Sequence, residues 1–244
     1  MEKIEHKYVQ VNGLKLHVAE AGSASSPAVV FLHGFPEIWY CWRHQLTAVG
    51  GKAGFRAIAI DYRGYGLSDQ PPQPEKTTFS EFVSDLLALL HALSIPKDFG
   101  ARVAYLFALH HPEKVLGIIT LVVPYLPPRP LTFHESLPEG NEIPIAKENQ
   151  EMMDMVDPST SLPPWFTDED LAVYASLYDK SGFRTALTVP YRSMPEDFNI
   201  TNVKVEAPAL YMIGEKEYFF KFRGMEEYIK GEKAKMFVPK KTLL

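Results

Sequence analysis

The chain has 244 residues, enough for one sizeable hydrophobic core, and its 46% hydrophobic and 23% charged residues are ordinary for a globular domain. Its net charge of −5 argues against a nucleic-acid surface, and no apolar stretch approaches the ~20 residues of a membrane span. The single cysteine, Cys41, excludes an internal disulfide, and the N-terminus lacks an apolar signal segment. We therefore expect a soluble, cytoplasmic protein without nucleic-acid or membrane partners.

The first half of the chain alternates predicted strands with predicted helices. YVQVNGLKLHVAEAG, from residue 8, has two alternating segments around Asn12-Gly13, which predicts a β-hairpin. The apolar runs AVVFLHG and FRAIAIDYRG each end in a polar turn, as buried strands of a parallel sheet do. Helical spacing follows over 79–93 and 99–111, and VLGIITLVV (115–123) predicts another strand. This order favours an α/β fold, a mostly parallel sheet with helices on both faces.

The character of the sequence changes over residues 124–200, which are rich in proline and methionine. They contain PWFTDEDLAVYASLYDKSG, in which Thr167 and Asp170 have the spacing of a capping box at a helix start. This segment predicts a helical lid inserted between two parts of the core, 1–123 and 201–244. APALYMIGEKEYFF (207–220) returns to the pattern of a strand followed by a turn.

Four polar turns occupy positions expected at the carboxyl ends of strands, where open α/β sheets bind their ligands. They are His33–Pro36, Asp61–Gly66, the turn at Asp98, and Gly214–Glu217. From the residues alone, Asp98 is either a catalytic carboxylate or the N-cap of the helix that follows it. No G-x-S-x-G motif occurs, so a serine esterase would lack its nucleophile. We predict no metal and no cofactor.

Three segments carry a resemblance to a known family. FLHGFPEIWYCWRHQ, DYRGYGLSDQP and DFGARVAYLFALHHPEKV resemble the soluble epoxide hydrolases of the α/β-hydrolase fold, those of plants above all. The resemblance implies that apolar epoxides are opened to diols. In that family an aspartate attacks the epoxide and forms an ester with the enzyme, while lid tyrosines protonate the leaving oxygen. A histidine that an acidic residue orients then activates water to hydrolyse the ester.

The family roles fall on particular positions of this chain. Asp98 matches the nucleophile, Tyr191 one lid tyrosine, and Glu217 the acidic partner of the histidine. The substrate-binding side of the site matches His33, Phe35, Pro36, Trp39 and Phe99. In the family this side includes the turn that binds the oxyanion, with a cis peptide bond before its proline. Phe99 has no N–H to grip a halide, which argues against the related haloalkane dehalogenases.

Three departures from the family pattern point to impaired activity. Only Ser94–Lys97 separate a predicted helix from Asp98, too few for a strand of ~5 residues, so the sheet should be incomplete. No tyrosine lies between Tyr125 and Tyr174, and no histidine follows His134. We interpret these as internal deletions and a truncated C-terminus.

Four readings follow from these departures. The chain could be a hydrolase in which another group replaces the histidine, or an enzyme that an epoxide alkylates once. It could also be a non-catalytic small-molecule-binding or regulatory relative, or a chain that does not fold stably.

Overall fold

The fold is a layered arrangement of strands and helices, described by a computed structural model over residues 4–93, 101–127, 157, 160–192, 196–222 and 224–244. The strands are β1 Glu5–Val11, β2 Leu14–Ala21, β3 Ala28–Phe31, β4 Arg56–Ile60, β5 Ile118–Leu121, β6 Ala209–Met212 and β7 Lys241–Leu243. The α-helices are α1 Arg43–Gly51, α2 Phe79–Ala92, α3 Ala101–His110, α4 Asp168–Ser181, α5 Arg184–Arg192 and α6 Met225–Lys230. Short 3-10 helices span Trp39–Trp42, Pro74–Lys76, Pro112–Lys114, Tyr218–Lys221 and Lys233–Met236.

The predicted hairpin at the N-terminus is confirmed. β1 and β2 pair antiparallel with Val11 opposite Leu14, which leaves a two-residue turn. Both turn residues, Asn12 and Gly13, have positive φ angles of 45° and 82°. Asparagine and glycine tolerate that conformation best, and the twist of such a turn matches that of the flanking strands.

The strands form two sheets. The first has the order β1-β2-β4-β3, in which β2 and β4 run antiparallel and β3 and β4 parallel. The second has the order β5-β6-β7 and is parallel throughout. The predicted α/β class with parallel strands is therefore confirmed.

Helices cover both faces of the first sheet, and β4 contributes to both because its successive side chains point to opposite faces. Ala57 and Ala59 pack with Leu46 of α1 in one apolar cluster. Ile58 and Ile60 belong to a second, larger cluster that also contains side chains of α2 and α3. The four residues of β4 after Arg56 are all apolar, as is typical of a strand that is buried on both faces.

Among the described residues, no strand lies between the edge strands β3 and β5. Each of these strands has a hydrogen-bonded neighbour on one side only, and within the described ranges no ladder joins the two sheets. Ile119 and Leu121, on one face of β5, are 54% and 42% exposed, which is unusual for a parallel strand. Residues 94–100, where the sequence is too short for a strand before Asp98, lie outside the described residues.

Two helices of the segment 124–200 are described, and they pack on the turns that follow β3 and β4. α4 begins with the predicted capping box, in which Thr167 Oγ1 accepts from Asp170 N at 3.1 Å. α5 follows after Gly182, whose φ of 57° suits a glycine at a helix end. None of the helices in the described part of the chain combines the length and the apolar character that a bilayer span requires.

Candidate active site

The turn after β3, residues 33–37, contains the expected cis peptide bond between Phe35 and Pro36. His33 is 5% exposed and lies between the rings of Tyr62 and Tyr65, at centroid distances of 4.6 and 5.0 Å. Its Nδ1 is 2.8 Å from Gly34 O and therefore donates, which leaves Nε2 to accept from Tyr62 N at 3.4 Å. Burial lowers the pKa of this imidazole, so it is neutral and braces the turn.

The turn after β4 is tied to the first turn by Asp61, which is fully buried. Its carboxylate accepts from Trp39 N at 2.8 Å, from His17 Nδ1 at 2.9 Å and from Leu67 N at 3.1 Å. A Cβ at Gly66 would lie 2.6 Å from this carboxylate, so only glycine fits there. These three hydrogen bonds hold both polar turns in one fixed arrangement. Asp61 therefore has a structural role.

Arg63, in the same turn, fixes it to α2. Its Nε and one terminal nitrogen each lie 2.6 Å from an oxygen of Asp85, and the other terminal nitrogen lies 2.5 Å from Glu81. This bidentate pairing orients the guanidinium away from a catalytic role, and Arg63 therefore braces the turn.

Trp39, predicted to contact substrate, is 7% exposed in this structure. Its ring packs in the apolar cluster on the α1 side of the first sheet, with its edge against His6 at a centroid distance of 4.7 Å. The indole Nε1 is buried without a hydrogen-bond partner. Trp39 supports the site through its backbone N–H, which donates a hydrogen bond to Asp61.

α4 docks on the first turn through two tyrosines one helical turn apart. The hydroxyl of Tyr178 donates to Pro36 O at 2.8 Å, and that of Tyr174 donates to the carboxylate of Glu37. Burial raises the pKa of both phenols, so both remain protonated donors.

A second contact, in which Arg43 and Tyr40 donate to Asp170 at 2.8 and 3.2 Å, anchors the start of α4. None of these contacts is predicted from the sequence, although the i, i+4 spacing of Tyr174 and Tyr178 is visible in it.

Three of the predicted site residues fall wholly or partly outside the described residues. Asp98 and Phe99 lie outside the described residues, three and two positions before α3 begins at Ala101. Tyr191 lies in the last turn of α5, and only its backbone is described. Their roles stay predictions.

Glu217 lies after β6, in the position that the sequence predicts for an acidic partner. Its Oε1 accepts from Tyr218 N at 3.0 Å, so the carboxylate caps the short helix that starts there. Its charge helps to raise the pKa of the nearby Tyr211 phenol, after burial and the influence of Tyr105. None of the described histidines forms a hydrogen bond with it.

The fold and the polar turns at the strand ends are those of the α/β-hydrolase class. A family model described as the alpha/beta hydrolase fold matches residues 27–142. "Epoxide hydrolase 1" of Siraitia grosvenorii is 33% identical over 283 residues, with 98% of this chain and 89% of that protein covered. The chain therefore belongs to the epoxide hydrolase family of α/β-hydrolases.

Solved structures agree with this assignment. A mutant epoxide hydrolase of Vigna radiata is 32% identical and superposes with a TM-score of 0.85, covering 100% of this chain and 91% of that one. A mutant of potato epoxide hydrolase is 28% identical, with a TM-score of 0.83 and coverage of 99% and 92%.

The alignment with the Siraitia protein also supports internal deletions. It extends over 283 positions, which is 39 more than the 244 residues of this chain. Because both ends of the chain are nearly reached, at least 39 positions of the relative lie opposite gaps inside this chain. The shortened stretch before Asp98 and the split between the two sheets are consistent with such gaps.

Proposed function

We propose that this chain opens small apolar epoxides with the carboxylate of Asp98 and then retains the ester. One carboxylate oxygen attacks an epoxide carbon, the ring C–O bond breaks toward oxygen, and the alkoxide takes a proton from the phenol of Tyr191. The product is a hydroxyalkyl ester of Asp98. Release as a diol requires water to attack the ester carbonyl, with a base to accept the proton of that water.

The observation that carries this proposal is the preserved frame around the first turn. His33, neutral and hydrogen-bonded at both ring nitrogens, and Asp61, with its three donors, hold the turn at the carboxyl ends of β3 and β4. α4 closes over the same turn through Tyr174 and Tyr178. This supports residues 124–200 as a lid over a core made of 1–123 and 201–244.

The second half of the reaction is where we expect failure. Glu217 already caps a helix and bonds to none of the described histidines, and His33 has both ring nitrogens engaged in bracing the first turn. Without a positioned imidazole, water attack on the ester loses a catalytic contribution of about 10²–10⁴-fold. The ester should therefore accumulate instead of turning over.

Mass spectrometry of the 244-residue protein after incubation with an aryl epoxide tests this proposal. We expect one added substrate mass, which peptide mapping places on Asp98 and which persists after the epoxide is removed. Asp98→Ala should abolish the adduct. The matched control Glu215→Gln removes an exposed carboxylate and should leave the adduct unchanged.

Two outcomes would contradict the proposal. Steady formation of diol over many turnovers would mean that another group activates water. Saturable binding of the epoxide without any adduct would mean that the chain is a non-catalytic binder of apolar ligands.

A cytoplasmic location stays a prediction. Cys41 is half-buried, and burial raises the pKa of its thiol, so it is a poor nucleophile. A lone protonated thiol is compatible with a reducing compartment.

A further inference from the structure

A small cleft lies between one face of α3 and the segment that follows β5. Its walls on the α3 side are Arg102, Tyr105, Leu106 and Leu109, which recur at helical spacing. The run Val123–Leu126 forms the opposite wall. Most of these side chains are aliphatic or aromatic. The cleft therefore offers an apolar surface with one charged group at its side.

The two tyrosines of the cleft use their hydroxyls elsewhere. Tyr105 Oη lies 3.1 Å from Thr120 Oγ1, and Tyr125 Oη donates to Val203 O at 2.6 Å. Their rings serve as walls and leave no phenol to meet a ligand. The guanidinium of Arg102 is consequently the polar side-chain group of the cleft that remains uncommitted.

The charge of Arg102 has no direct partner in the described part of the chain. Its guanidinium carbon is 4.9 Å from the ring centroid of Phe79 and 6.0 Å from that of Phe198, and its Nε is buried without a hydrogen bond. Glu196 supplies the nearest opposing charge, but its carboxylate accepts from Phe79 N at 3.1 Å. Arg102 is half-buried, and its buried Nε–H without an acceptor is costly, which points to a ligand that supplies a negatively charged acceptor.

The dimensions and walls of the cleft restrict what this anion can be. Its free volume is about 40 Å³, against roughly 10–15 Å³ that one buried water needs on the same measure. That space takes one carboxylate group with a short tail and not a drug-sized molecule. One guanidinium neutralises one charge, and apolar walls favour a hydrocarbon tail over a hydrated dianion.

We propose that this cleft binds a small aliphatic monocarboxylate, whose two oxygens accept from the guanidinium of Arg102. The planar fork of arginine matches a carboxylate in a bidentate arrangement. The tail of the acid lies against Leu106, Leu109 and Leu126. The proposal rests on Arg102 and the walls of the cleft and uses no step of the epoxide chemistry.

Calorimetric titration and thermal unfolding at fixed ionic strength test this site with sodium butanoate and with butanamide, its neutral isostere. Butanoate should bind in the millimolar range and raise the midpoint of thermal unfolding, because a ligand of the folded state stabilises it. Butanamide should do neither. Arg102→Met should weaken butanoate binding at least tenfold. Arg184→Met, a matched change at an arginine whose side chain is 76% exposed, should leave it unchanged.

Several outcomes would overturn the proposal. They are failure of the unaltered protein to bind butanoate, equal binding of butanamide, and equal binding by the Arg102→Met protein. Equal protection by inorganic phosphate would contradict the assignment to monocarboxylates. If Arg102→Met does not fold, Arg102→Lys replaces it, and it should bind butanoate more weakly because an ammonium cannot pair with both oxygens.

Discussion

Asp61 is the residue on which the arrangement of the two polar turns depends. It is fully buried and accepts hydrogen bonds from one turn, from the other and from the hairpin strand β2, through Trp39, Leu67 and His17. A buried carboxylate is stable only when its oxygens are satisfied in this way. The aspartate of DYRGYG therefore acts as a structural anchor.

His33 gives the stability of the fold a dependence on pH. Burial holds the folded-state pKa of this imidazole below the ordinary value of about 6.5. The unfolded chain therefore binds a proton in a pH range where the folded chain does not. We predict that this group does not reduce the free energy of unfolding above about pH 6.5. Below that pH the free energy of unfolding falls, by up to ~1.4 kcal/mol per pH unit from this group.

Denaturant titrations between pH 7.5 and 5.5 measure this dependence. His33→Gln should flatten the slope, whereas His44→Gln, at an exposed position of α1, should preserve it. His6, whose pKa burial also lowers, adds a contribution of the same sign. An equal slope in the His33→Gln protein would contradict the assignment.

Among the helices, α4 bears most directly on the site because it docks on the turn after β3. We predict that Tyr178→Phe destabilises the protein by about 1 kcal/mol, because the carbonyl oxygen of Pro36 loses a buried donor while the ring stays stacked on Phe183. Hydrogen exchange should speed up at the amides of α4 more than at those of α2.

Tyr218→Phe is the control for this change. Its hydroxyl forms no hydrogen bond among the described residues, and its side chain is 36% exposed. It should alter stability by less than about 0.5 kcal/mol. Equal effects of the two substitutions would mean that the docking contact contributes nothing.

The elements show which parts of this structure could be predicted from sequence. The hairpin at Asn12-Gly13 and the capping box at Thr167 were predicted correctly because both depend on neighbouring residues. The predicted strand 115–123 is longer than β5, which spans Ile118–Leu121, because its apolar run continues into a turn where Val122 has a positive φ of 67°.

The site was harder to predict because its contacts join distant parts of the chain. Glu37 and Tyr174 are 137 positions apart, and nothing in either local pattern indicates the other. The sequence left open whether Trp39 faces the substrate pocket or the core, because an aromatic side chain in an apolar stretch can do either. The structure buries its ring against Leu46.

The molecule as a whole should unfold as one unit despite its two sheets. The larger apolar cluster contains Val30 and Ile58 of the first sheet together with Ile118 and Ala209 of the second. Side chains of α2 and α3 complete the same cluster. We predict a single cooperative transition in urea, because neither sheet can lose its packing without exposing the other.

Tryptophan fluorescence and hydrogen exchange at the amides of β6 measure this prediction together. Two of the three tryptophans, Trp39 and Trp42, lie beside the first sheet, so fluorescence reports mainly on that part. Coincident midpoints would support one folding unit. Two separated transitions would show that the gap between β3 and β5 divides the molecule.

The contact between Tyr178 and the turn has a consequence for how this protein can diversify. The phenol donates to main-chain oxygens at positions 36 and 37, and every amino acid supplies such an oxygen. Substitution of the acidic side chain at position 37 would remove the Tyr174 contact and leave the one to Tyr178 in place. The side chain at position 37 can thus vary during evolution while α4 stays docked on the turn.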